Sequence, residues 1–121
     1  MRAENLKNKQ STSKTDYVYV VTPYYGRIAR PGHGFENLYI FACVNRSNGT
    51  VEKTWVETWC GRTADDLSNW LAQRNVEGLF ADGFSLALEK ELFQVNIWTR
   101  WNVSGDISEL TAKHWADLQV A

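Results

Sequence analysis

The sequence predicts an α/β fold: one five-stranded mixed sheet, strand order 3-2-1-4-5, with helices on both faces. Three observations lead there. Strand-length runs of β-branched and aromatic residues recur along the chain. After residue 60 the apolar period changes, and short strands then alternate with helical stripes. An Asn-Gly pair, Asn48-Gly49, sits between two such runs and marks a tight hairpin.

The elements follow in order. Tyr17-Val18-Tyr19-Val20-Val21 reads as a buried strand. Residues 22–36 read as a loop, and Leu38 to Val44 as the second strand. The cluster Asn45-Arg46-Ser47-Asn48-Gly49 turns the chain. Residues 50–59 alternate, with Val51, Lys53, Trp55, Glu57 and Trp59 on one face, which gives a third strand antiparallel to the second. Thr63-Ala64-Asp65-Asp66 resembles a capping box with Asp at its third position. Leu67, Trp70 and Leu71 continue it as a helical stripe. Val76 to Ala81 is a short strand, and Asp82-Gly83 turns into a helix over Phe84 to Leu92. Val95 to Thr99 is the last strand. Asp106 to Leu118 is the last helix, with Ile107, Leu110, Thr111, His114 and Trp115 on one side. The first three strands form a meander and the others join by right-handed crossovers. Only the second strand is then reversed.

Composition narrows the function. A chain of 121 residues holds one core. Thirteen basic and fourteen acidic side chains leave it near neutral, which argues against a general nucleic-acid binder. Residues 1–16 are polar and lack apolar periodicity, so they read as a disordered tail before a single domain over 17–121. There is no apolar leader-like or membrane-length run, and the two cysteines, Cys43 and Cys60, are too few for a disulfide scaffold. A reduced, cytoplasmic setting is the expectation. The sequons at Asn45, Asn48 and Asn102 read as turn residues.

The predicted topology points four strands at one sheet edge, where open α/β sheets bind ligands. Segments 22–36, 60–63, 82–84 and 99–105 meet there. They carry Tyr24, Tyr25, Arg27, Arg30, His33, Cys60, Arg62, Asp82, Gly83, Arg100 and Trp101. Gly26, Gly32 and Gly34 let the first of these loops approach a ligand closely, and Pro31 stiffens it. Arginine forks suit carboxylate and phosphate-like oxygens. Imidazole and thiolate suit soft metals and iron–sulfur clusters. The plain alternatives are a loop histidine that orders its turn, a small half-buried Cys60, and solvated arginines paired with Glu36, Asp65 or Glu57. Cys43 and His114 read as packing residues. The tryptophans read as core, helix-covered surface or a dimer patch.

Several quoted segments resemble one family. Gly26-Arg27-Ile28 precedes a His33-Gly34-Phe35 loop that runs into Leu38-Tyr39-Ile40-Phe41. Val76 to Gly83, Asn96-Ile97 and Ser104-Gly105-Asp106-Ile107 follow. Over roughly residues 17–118 the chain is similar to the dinitrogenase iron–molybdenum cofactor-binding family, which includes carriers of NifX type and the C-terminal domain of NifB. The resemblance implies a ribonuclease-H-like sheet and a metal–sulfur cofactor of iron–sulfur or iron–molybdenum type. His33, with Cys60, would be the metal ligand set. Arg27, Arg30, Gly32, Gly34, Arg62, Gly83 and Arg100 would complete the cofactor-binding rim. The family loop reads His-Phe-Gly where this chain has His33-Gly34-Phe35, and Asn96 replaces the glycine before the last strand's isoleucine.

The expected function is therefore a small non-enzymatic protein holding an anionic metal–sulfur cofactor or related small ligand, with no nucleic-acid or membrane partner. The alternative is a protein-interaction or homodimerisation domain that kept the fold and lost the cofactor. Two-metal nuclease chemistry needs several carboxylates converging on one site, whereas strand one offers only Asp16, at its wrong end, and strand four ends in Asp82, so no carboxylate cluster forms. No Walker loop, nucleophile elbow or nucleotide-binding glycine fingerprint occurs.

Overall fold

The computed structural model describes residues 16–24, 29–30, 34–35 and 37–119. Five strands form one sheet: β1 (Tyr17–Pro23), β2 (Leu38–Asn45), β3 (Val51–Thr58), β4 (Val76–Ala81) and β5 (Trp98–Trp101). Their order is β3-β2-β1-β4-β5. β1 is antiparallel to β2 and parallel to β4, β2 is antiparallel to β3, and β4 is parallel to β5. The predicted order 3-2-1-4-5 is thus the observed one, with only β2 reversed. Among the described residues three helices accompany the sheet: α1 (Ala64–Gln73), α2 (Leu86–Gln94) and α3 (Ile107–Gln119).

The central strand explains the apolar run that begins the domain. Val18, Val20 and Val21 of β1 are all buried because helices cover both faces. On one face Val21, Tyr39, Phe41, Leu79 and Ala81 pack with Leu67 and Leu71 of α1 and Leu88 and Leu92 of α2. On the other, Val18, Val20, Ala42, Val44 and Phe80 pack with Ile107 and Leu110 of α3. Burying one such side chain fully contributes roughly 1.5–3 kcal/mol. His114 is a packing residue on α3, its ring 5.9 Å from that of Phe80.

The helix starts are set by their caps. Thr63 Oγ1 accepts from the Asp66 N–H at 3.3 Å, as the capping-box pattern predicts. At α2 the cap is Ser85, whose hydroxyl accepts from the Leu88 N–H at 3.2 Å. That helix consequently begins two residues later than its apolar pattern suggested. It also runs on to Gln94, so Val95 and Asn96 close the helix instead of opening β5. The Asn96 N–H donates to the Phe93 carbonyl, and Asn96 takes φ 63°. Asparagine tolerates this left-handed conformation better than most residues. Asn96 therefore keeps a backbone shape that a glycine would also adopt.

The Asn48-Gly49 turn forms as expected. Gly49 takes φ 75°, and the Asn45 N–H donates to the Thr50 carbonyl at 2.8 Å. The predicted 22–36 loop contains a two-stranded ribbon, Ala29–Arg30 paired with Gly34–Phe35. Residues 1–15 of the predicted tail lie outside the described residues. Asp16, read with that tail, is tied to the sheet: its carbonyl accepts from the Arg46 N–H at 2.8 Å.

Candidate binding cleft at the carboxyl edge of the sheet

β1, β3, β4 and β5 all end at one edge, and backbone bonds just beyond them hold that edge together. The Tyr24 N–H donates to the Leu38 carbonyl at 2.8 Å, the Trp59 N–H to Asn37 at 2.8 Å, and the Val103 N–H to Ala81 at 3.1 Å. Between the end of β3 and α1 this edge opens into a cleft of about 470 Å³. One wall is Thr58, Trp59, Cys60 and Gly61; the other is Asp66, Asn69, Trp70 and Gln73 of α1.

The cleft rests on aromatic packing. Trp59 is buried, edge-on to Tyr39 at 6.3 Å. Gly61 folds back against its indole; a Cβ there would lie 2.7 Å from the ring. Trp70 meets Tyr39 at 5.8 Å and Phe41 at 5.6 Å. The Arg74 guanidinium covers the Trp70 ring at 4.3 Å, and its Nε donates to Glu57 Oε1 at 2.8 Å. Glu57 Oε2 accepts from Trp55 Nε1 at 2.9 Å. Trp59 and Trp70 are therefore each held by side-chain contacts, and the exposed Cys60 is among the lining residues.

Glu57 is also an acid-sensitive point. The Arg74 hydrogen bond, then that of Trp55, holds its carboxyl below the ordinary value of 4.5, while burial opposes them. A carboxyl with a lowered folded pKa adds stability that is complete above its unfolded pKa and is lost as pH falls through the folded one. Stability is expected to drop on acidification below about pH 4.5, and Glu57→Gln is expected to flatten that part of the profile. Urea midpoints at stepped pH check this, and an unchanged slope in the variant would reject the contribution of Glu57.

The expected rim divides in the structure. Cys60 and Arg62 are exposed just after β3, beside the cleft. Arg100 is on β5, at the opposite side of the sheet. Four strand spacings of about 4.8 Å put the two roughly 19 Å apart. Its guanidinium lies over Trp98 at 5.6 Å and donates to the Thr99 carbonyl at 2.9 Å. Arg62 and Arg100 are thus not brought to one small ligand. Gly83 follows β4 with open space around it, since a Cβ there meets nothing within 4 Å. Arg27, Gly32 and His33 lie outside the described residues, and for Arg30 and Gly34 only the backbone pairing in the ribbon is described. Asp65 and Asp66 in the first turn of α1 set negative charge at the helix start, where it offsets the positive end of the helix dipole.

Among the described residues no group of three or more His, Cys, Asp or Glu side chains could hold a metal ion. The described donors at the cleft are the Cys60 thiol and the Asp66 carboxylate. That set does not fit a metal held by protein alone. Cys43 lies half-buried on β2, and burial pushes its thiol pKa up against the opposing Tyr19 hydrogen bond. Sequence reasoning missed Asn69 and Gln73. Their signal is the spacing Asp66, Asn69, Trp70, Gln73, which places all four on one helix face. No described helix is long and apolar enough to cross a membrane.

No family model matches the chain, and no curated protein matches it. Solved structures do. PH0822 superposes with a TM-score of 0.62 at 14% identity, over 83% of this chain and 92% of that one. The catalytic core domain of BIV integrase matches at 0.39 and 16% identity, over 87% of this chain and 68% of that one. The large terminase nuclease of the thermophilic phage G20c, solved with cobalt and with magnesium, matches at 0.41 and 16%, over 87% of this chain and 53% of the nuclease. The chain has the ribonuclease-H-like α/β fold. The expectation of a non-enzymatic protein is corrected by these matches, because integrase and terminase nuclease domains are enzymes. At this similarity what is shared is the sheet, and their activities remain their own.

Proposed function

We propose that this chain binds a preassembled metal–sulfur cofactor, or a related small ligand, in the cleft between β3 and α1, with Cys60 as its point of attachment. The observation that carries the reading is the exposed Cys60 in the lining of a cleft held by Trp59 and Trp70, at the edge where four strands end. The resemblance to the cofactor-binding family supplies the ligand class, and His33 is the second ligand that it implies. Trp59 and Trp70 offer apolar walls to the body of such a ligand, and Asn69 and Gln73 offer amide donors to its sulfides or oxygens.

Anaerobic incubation with a glutathione-ligated iron–sulfur cluster, followed by absorbance and iron analysis, tests the proposal. The native chain and Cys43→Ala are expected to load and colour. Cys60→Ala is expected to lose most of the colour, and His33→Ala to lose it where His33 is the second ligand. Equal loading of Cys60→Ala and the native chain would remove Cys60 from the site. A native chain that stays empty would remove the cofactor reading itself.

A second reading, a protein-interaction domain, draws on a different observation. Trp59 is buried and the other five tryptophans are half-buried. The exposed large apolar residues are instead Val56 at 52%, Phe84 at 53%, Leu86 at 55% and Phe93 at 80%, with Tyr17 and Tyr24 less so.

A further inference from the structure

We infer that the open edge of β3 pairs with β3 of a second copy of this chain, antiparallel and centred on Trp55, so that Lys53 of each copy faces Glu57 of the other. This goes beyond the ligand reading and does not rest on it.

The backbone decides which registers exist. Trp59 donates its N–H to Asn37, so residue 59 turns its backbone groups toward β2. The β2–β3 register runs unbroken from Leu38↔Thr58 to Cys43↔Lys53. Alternation along an antiparallel ladder then turns the groups of Glu57, Trp55 and Lys53 toward β2, and those of Thr58, Val56, Thr54 and Glu52 outward. No other described strand meets that outward row. β3 contains no proline, and its register break falls at the Val51 end. These are two of the usual means by which an edge is blunted, and neither acts over Lys53 to Thr58.

A two-fold antiparallel pair must oppose outward residues to outward residues. It can therefore be centred on Thr54, Trp55 or Val56, but not between residues. Centring on Thr54 sets Lys53 against Trp55 and Val51 against Glu57. Centring on Val56 sets Trp55 against Glu57 and Lys53 against Trp59. Only the Trp55 centre matches opposite charges, and symmetry makes the match twice. The same register sets Thr54 against Val56 and so covers the exposed valine. Trp55 meets its own copy at a non-hydrogen-bonded position, where side chains approach most closely.

Glu57 is prepared for this role. Arg74 and the Trp55 indole each occupy one carboxylate oxygen, which fixes the group on its face. Each oxygen keeps a further acceptor position. Lys53 is exposed, with its ammonium 5.6 Å from the Trp55 ring centre, and Glu57 of the second copy would lie directly opposite it. A charged edge repels foreign strands and admits the one whose charges match.

Sedimentation of the full chain across a concentration series, with amide exchange at each concentration, tests the pairing. A reversible dimer is expected. The Thr54 and Val56 amides should gain protection as concentration rises, while those of Trp55 and Glu57 stay protected throughout. Lys53→Glu, an exposed change that leaves the β2 ladder intact, should weaken the dimer roughly tenfold or more by setting Glu against Glu twice. Thr54→Pro, which removes only an outward donor, should do the same; should it fail to fold, Lys53→Glu decides alone. A chain that stays monomeric to its solubility limit would overturn the proposal. So would a dimer that Lys53→Glu leaves unchanged.

Discussion

Gly78→Ala is expected to destabilise the fold by about 3 kcal/mol, the upper end of what overpacking a close-packed interior costs. Gly78 lies in β4 directly opposite Trp98 of β5, and it is buried. The indole of Trp98 lies across it so closely that an added Cβ would fall inside the ring's own contact shell. Neither group can retreat. Gly78 belongs to a strand paired on both sides, and Trp98 is held edge-on to Phe80 at 5.5 Å. Urea unfolding of the single variant measures the loss. Trp98→Leu in the Gly78→Ala background should recover part of it, because the clash rather than the strand is at fault. Gly83→Ala serves as the comparison: its site is open, and it should change stability by less than about 0.5 kcal/mol. A Gly78→Ala protein as stable as the native one would show that the tryptophan does not sit where the structure has it.

Phe41→Ala is expected to cost about 3–5 kcal/mol. Phe41 is fully buried at the middle of β2. It stacks on Trp55 at 5.5 Å with the rings 10° from parallel, and it meets Trp70 edge-on at 5.6 Å. Removing it leaves a hole between an edge strand and α1. It also frees the Trp70 wall of the cleft. Phe41→Leu should recover most of the stability but not the ring stacking. A loss below about 1 kcal/mol for Phe41→Ala would mean that the aromatic cluster closes over the gap.

The strand order was readable from sequence because two local signals are strong here. Asn48-Gly49 fixes the meander, and the change of period after Cys60 marks where crossovers begin. The ends of α2 and the start of β5 differ from what the apolar pattern predicts for one reason. Val95 and Ile97 carry β-branched propensity, but Ser85 and Asn96 set the helix limits through a cap and a left-handed turn. Short polar signals outweighed apolar ones at those positions. The site was less legible. Cys60 and Arg62 could be placed at the carboxyl edge from topology alone. Asn69 and Gln73 could not, because their part depends on α1 leaning over the end of β3. Arg100 falls outside a common rim because the carboxyl edge of a five-stranded sheet is a line, with β3 and β5 at its two ends. Side-chain direction on β5 then turned the guanidinium onto Trp98 instead of toward that line.

The central position of β1 bears on the order in which the chain is made. β1, β2 and β3 leave the ribosome first and can pair locally, but the flank of β1 that β4 will occupy stays open until residue 76 has followed. Tyr19 must wait for Val76, and Val21 for Leu79. During that interval the nascent meander presents two bare edges of opposite character. That of β3 carries Glu52, Lys53 and Glu57, while that of β1 is an uncharged Val-rich run open to wrong partners. Slow translation between α1 and β4 would lengthen this exposure, and a holding chaperone acting there would matter more to the yield of folded protein than one acting on the finished chain.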